Sequence, residues 1–170
     1  AGASLRDLSD GEYDETDPVR LISGSVLSGS SSEVAEGDYL GRYCRQVTII
    51  KEDTEKTVMG WIRPWVSKHA VQPVLLSSLV RRDAYPMTSN LNGGRRAMVP
   101  TGVFEELMPQ DYLPTQLLRA LLVMDTDAAQ DLGALELGEE DLALASYACP
   151  AKYEYGIALR DCLTKIEKDG

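Results

Sequence analysis

DYLPTQLLRALLVMD, residues 111–125, is the stretch on which the reading of the chain turns. Pro114 suits the first turn of a helix, where its missing N–H is not needed, and Leu117, Leu118, Leu121 and Leu122 recur at the spacing of one helical face. From about residue 105 the chain therefore reads as helical. TDAAQDLGA is expected to form a second short helix ending at Gly133. GEEDLALASYAC begins with three carboxylates suited to the positive end of a helix and stops before Pro150. YEYGIALRDCLTKIEK sets Tyr155, Leu159, Cys162, Leu163 and Ile166 on one stripe, with Lys165 and Lys168 near its end.

Upstream the periodicity changes. VRLISGSVL (19–27) alternates in part and is followed by SGSSS, a turn signal, while CRQVTIIKE (44–52) is rich in β-branched residues. The acidic stretch EDTEK and a renewed strand pattern in KTVMGWI (56–62) predict a hairpin that ends at Pro64. VQPVLLSSLVRR (71–82) has the spacing of a short helix, and TSNLNGGRR (88–96) reads as a turn in which Asn-Gly-Gly supplies positive φ. The expected class is α+β: residues 1–17 a linker, 18–100 a β-rich module, 101–170 a small helical bundle.

A chain of 170 residues with 44% hydrophobic residues can bury a substantial core. Its richest apolar run, LLRALLVM, is broken by Arg119 and is too short to span a bilayer. The start lacks an initiator Met and a signal segment, which predicts a piece cut from a longer polypeptide. Net charge is −10, which argues against a nucleic-acid partner. The charge is unevenly spread: residues 1–40 carry −7, residues 41–100 carry +6 and residues 101–170 carry −9. The basic middle block is either solvated surface or a docking face for an acidic partner or anionic headgroups.

Redox chemistry would have to come from three cysteines. In SYACPAKYEYG (146–156) a Cys-Pro pair closes a helix, as at the end of a ferredoxin motif, yet the nearest other cysteines are 13 residues downstream and 105 upstream. An iron–sulfur cluster takes four thiolates, most of them close together in sequence, so Cys149 is not expected to hold one within this chain. Cys162 reads as core, and Cys44 as packing beside a strand. The single histidine, His69, has no Cys or carboxylate within ten residues, so neither a zinc site nor a Ser-His-Asp arrangement is expected. GSVLSG (24–29) lacks the Lys-Ser/Thr of a phosphate loop, and Glu139, Glu140 and Asp141 read better as helix capping than as a cation site. Trp61 and Trp65 flank Arg63 in the basic block, as core residues or as a partner anchor.

RLISGSVLSG, DYLGRYCRQVTII, NGGRRAMVPTG, MPQDYLPTQLLRALL and the last 39 residues together resemble the C-terminal region of the NqrA family, which belongs to the bacterial Na+-translocating NADH:quinone reductase, or NQR complex. The resemblance implies a β-grasp module of the soluble-ligand-binding type followed by a small helical domain. It extends distantly to RnfC and to complex I flavin subunits, whose corresponding helices carry clustered cysteines; here SYACP keeps one Cys-Pro and is a relic of such a site. It also implies a peripheral position on the cytoplasmic side of the bacterial inner membrane, with the other NQR subunits, including the membrane subunits, as partners. The parent complex uses NADH, flavins, iron–sulfur centres and ubiquinone. No cofactor is expected in this segment, which is itself expected to be non-catalytic and to serve in structure and docking. The alternative is a quinone-binding β-grasp module contributing to the ubiquinone site. The docking candidates are Trp61, Arg63, Trp65, Arg81, Arg82, Arg95 and Arg96.

Overall fold

Strand formation in the first half rests on two short segments of β-branched and aliphatic residues, VRLIS and VTIIK, and these pair with each other. A computed structural model of the chain describes residues 2–14, 16–32, 39–55 and 87–169, with the single positions 59, 62, 71 and 84. The described residues divide into two compact units, 1–92 and 93–170. Their class is mixed α+β, an open three-stranded antiparallel sheet followed by a helical region.

In the first unit β1 (Val19–Ser23) is the central strand, flanked by β2 (Ser30–Ser32) and β3 (Val47–Lys51). Leu21 is opposite Ile49 on one side and Ser32 on the other. Arg20 reaches past the end of β3 to grip Glu52 through Nε and a terminal guanidinium nitrogen, at 2.8 and 2.7 Å. That fork holds the Glu52 carboxyl below the ordinary glutamate range. Leu21, Ile22 and Ser23 are buried, and the helix α1 (Leu5–Ser9), which lies against β3, buries Leu5. Ser4 caps α1 by accepting from the Asp7 N–H. Residues 1–17, expected as a linker, thus include a short helix.

One expectation for this unit needs correction. SGSSS was expected as a turn, but Ser30–Ser32 is a strand registered against Leu21–Ser23. Ladder hydrogen bonds come from the backbone, and Gly29 lets the chain pass close to β1; a Cβ there would lie 2.5 Å from Ile22 Cγ2. The second arm of the hairpin expected across EDTEK lies outside the described residues apart from Met59 and Ile62, while its first arm, β3, pairs with β1. The Ile62 N–H donates to the Met59 carbonyl in a turn. The helix expected over residues 71–82 lies outside the described residues, apart from Val71. At the expected Asn-Gly-Gly turn, Asn92 and Gly93 have φ of 39° and 130°.

The second unit contains α2 (Val103–Leu107), α3 (Pro114–Val123), α4 (Thr126–Asp131), α5 (Ala143–Ala148) and α6 (Tyr155–Asp169), with 3-10 turns at Ala134–Glu136 and Glu139–Leu142. Pro114 opens α3, whose Leu117, Leu118 and Leu121 are fully buried, with Leu122 half-buried beside them. Helix α3 ends in Met124 at φ 58°, where the Lys165 ammonium donates to the Met124 carbonyl from α6. The Asp125 side chain then caps α4. Gly133 has φ 93° and lies under the Tyr112 ring, so both conformation and space call for glycine there. On α6 the expected stripe holds: Tyr155, Leu159 and Cys162 are buried, and Leu163 and Ile166 pack at the edge of the core. The Thr115 hydroxyl donates to Glu105, across from α3 to α2, and lowers the Glu105 pKa from its ordinary value.

The acidic triplet departs from its expected form. Glu139, Glu140 and Asp141 open a 3-10 turn, and the α-helix begins only at Ala143. Two of the carboxylates do separate work: Asp141 Oδ2 accepts from the Gly138 N–H at 2.8 Å, and Glu139 pairs with Arg160 on α6. The tighter 3-10 turn follows from Asp141 reaching back three residues to a backbone donor.

Candidate functional site

The Cys-Pro stretch is built from the inside. Cys149 is the C-terminal cap of α5, its N–H bonded to the Ser146 carbonyl, and the chain then turns so that the Lys152 N–H donates to the Cys149 carbonyl. Ser146 also accepts, through Oγ, from the N–H of Tyr155, the first residue of α6. One serine thereby fixes both helix ends around the turn. The effect is to aim the Tyr155 phenol inward, where its oxygen lies 3.2 Å from the Cys149 sulfur.

Both groups are enclosed, Cys149 at 1% exposure and Tyr155 at 0%. The Phe104 ring meets Tyr155 edge-on, with centroids 5.7 Å apart and planes at 88°. Burial, and after it the bond to Cys149, pushes the Tyr155 pKa far above its ordinary value. The pair is therefore a satisfied polar contact inside an apolar core, and the phenol stays neutral near neutral pH. Cys162 is likewise fully buried, and its thiol pKa is raised by burial against a smaller opposing pull from Lys165. Cys44, half-buried in the first unit, directs its sulfur to the Ser23 carbonyl at 3.5 Å. Among the described residues no group of three or more His, Cys, Asp or Glu side chains could hold a metal ion.

Of the docking candidates, Trp61, Arg63, Trp65, Arg81 and Arg82 lie outside the described residues, as does His69. Arg95 and Arg96 are described, and both are exposed. The Arg96 N–H donates to the Ala151 carbonyl at 3.2 Å, which lays the segment from Gly93 alongside the Cys-Pro turn. A Cβ on Gly93 would lie 3.9 Å from Lys152 Cε. The sequence carries no signal for this meeting, because residues 95 and 152 are far apart in the chain and Lys152 follows no motif. Tyr155 was expected in the core, but its pairing with Cys149 depends on the turn geometry.

Known relatives match nearly the whole chain. The NqrA protein of the Na+-translocating NADH-quinone reductase from Marinomonas sp. (strain MWYL1) is 53% identical over 169 residues, 99% of this chain and 38% of that protein. The protein of the same description from Klebsiella pneumoniae is 51% identical, again over 99% of the chain and 37% of the relative. That from Rhodopirellula baltica is 48% identical over the same shares. The chain is homologous to a region of NqrA. It spans a little over a third of the length of these relatives, 37–38%. No family model matches it. The resemblance to NqrA drawn from the sequence motifs thus holds for a region of that protein, and the Cys149–Tyr155 core and the Arg95, Arg96 and Lys152 surface are features of that region. Among its described residues no helix is long and apolar enough to cross a membrane.

Proposed function

We propose that this region of NqrA is a docking module of the Na+-translocating NADH-quinone reductase, a part that holds neighbouring subunits in place and carries no redox centre of its own. The observation that supports this most is the enclosure of Cys149. A thiolate that ligates a cluster must be deprotonated and face its metal, whereas this sulfur faces the Tyr155 hydroxyl inside a packed core. NADH oxidation, flavin and iron–sulfur chemistry, quinone reduction and sodium export are then properties of the assembled complex, to which this region contributes shape and surface. The strands belong, in this reading, to a β-grasp module of the soluble-ligand-binding type. The region sits peripherally on the cytoplasmic side of the inner membrane, with the basic middle block turned toward the membrane subunits.

The test is removal. Full-length NqrA lacking the region that corresponds to residues 93–170 should be made but fail to co-purify with the other subunits, and quinone reduction by the membranes should fall with it. Normal assembly without the region would refute the docking role.

A further inference from the structure

The helical unit is acidic, with 7 Lys and Arg against 14 Asp and Glu in residues 93–170. Within it, two of the other cations have partners: Arg160 pairs with Glu139, and Lys165 donates to the Met124 carbonyl. Arg119 and Lys168, like Arg95, Arg96 and Lys152, make no ion pair or side-chain hydrogen bond among the described residues, but only the last three are drawn together by the backbone, through the bond from the Arg96 N–H to Ala151. Lys152 is also held at φ 63°, a conformation unfavourable for a residue with a side chain, by a turn tied to the buried Cys149. The enclosed Cys-Pro stretch therefore acts as a mount that presents a lysine beside two arginines. Val99, at 62% exposure, adds an apolar surface a few residues along the same segment.

We propose that Arg95, Arg96 and Lys152 form one cationic patch that docks a carboxylate-rich surface of a neighbouring protein of the complex. The proposal rests on the docking reading above and names the chemistry of the partner. A protein partner fits the charge distribution better than an anionic bilayer does. Headgroup charge extends under the whole footprint of a docked molecule and would oppose the surrounding Asp and Glu, with Glu154 only two residues from Lys152. A protein can place carboxylates opposite the three cations alone, and charges more than about 8 Å away are largely screened at physiological salt. Exposed charges of this kind set partner choice and salt sensitivity.

The decisive experiment puts Arg95→Glu, Arg96→Glu and Lys152→Glu together into full-length NqrA, beside a charge-preserving triple variant, Arg95→Lys, Arg96→Lys and Lys152→Arg. The complex is then isolated from membranes and washed with rising NaCl. The reversal should weaken retention of NqrA by roughly tenfold and lower the salt at which it is released, while the charge-preserving variant behaves as wild type. Circular dichroism and thermal melting of the reversed 170-residue chain should match wild type, since Arg95 and Arg96 are exposed and Lys152 is only half-buried. Retention unchanged by the reversal would overturn the patch; if deletion of residues 93–170 still blocked assembly, the docking role would stand without it. Co-sedimentation of the chain with phosphatidylglycerol vesicles, abolished by the reversal, would assign the patch to lipid and overturn the protein partner.

Discussion

Tyr155→Ala is expected to destabilise the helical unit by about 3–5 kcal/mol, the range for truncating a large buried aromatic. Tyr155 is fully buried, packs edge-on against Phe104 and supplies the hydroxyl that satisfies Cys149. Its removal opens a cavity between α2 and α6, takes away the aromatic pair and leaves the sulfur without its partner. Because whole domains are stable by only about 5–15 kcal/mol, the loss should shift the urea midpoint well outside experimental scatter. Tyr155→Phe separates packing from hydrogen bonding. It keeps the ring and should cost about 1 kcal/mol, and it should leave Cys149 closed to a thiol reagent under native conditions. Rapid labelling of Cys149 in the wild-type chain would show that the enclosure is not as described.

Gly29→Ala is the corresponding probe of the sheet. An alanine Cβ would lie 2.5 Å from the Ser25 carbonyl oxygen, 2.8 Å from the Ser23 carbonyl oxygen and 2.5 Å from Ile22 Cγ2. Two of these three neighbours are backbone atoms of β1 and the turn after it, so they cannot rotate away. The Gly29 N–H also donates to the Ser25 carbonyl at 2.8 Å, which holds the approach in place. The expected cost is about 1–3 kcal/mol, as for overpacking elsewhere, with loss of the β1–β2 pairing. Gly94→Ala is the control, because nothing lies within 4 Å of a Cβ there and φ is ordinary. It should be neutral or slightly stabilising, up to about 1 kcal/mol, through the unfolded chain. Chemical denaturation of the two variants side by side checks both; equal stability would mean that Gly29 does not make the close approach described.

What could be read from the sequence follows from where the physics is local. Helices α3 and α6 were legible because Leu117, Leu118 and Leu121, and Tyr155, Leu159 and Cys162, repeat at helical spacing, and Pro114 and Gly133 mark boundaries through their own backbone limits. The strand Ser30–Ser32 was not, because three serines carry no periodic apolar signal and owe their conformation to the partner strand. Helix α1 was hidden in a polar stretch in which Leu5 is the one fully buried apolar side chain. At the site, composition already argued that Cys149 had no companions for a cluster. Its actual partner, and the gathering of Lys152 with Arg95 and Arg96, arise from a turn that brings distant residues together, and local pattern does not encode that.

As a docking module, this region would work by shape and surface and hold no electron carrier. Its most direct test is to express the chain with iron, flavin and an iron–sulfur assembly system in excess, purify it anaerobically, and measure iron, acid-labile sulfide and flavin per polypeptide. All three should lie far below one per chain, with Cys149 and Cys162 titrating as thiols only after unfolding. Stoichiometric iron and sulfide, or bound flavin, in the folded chain would contradict the docking reading.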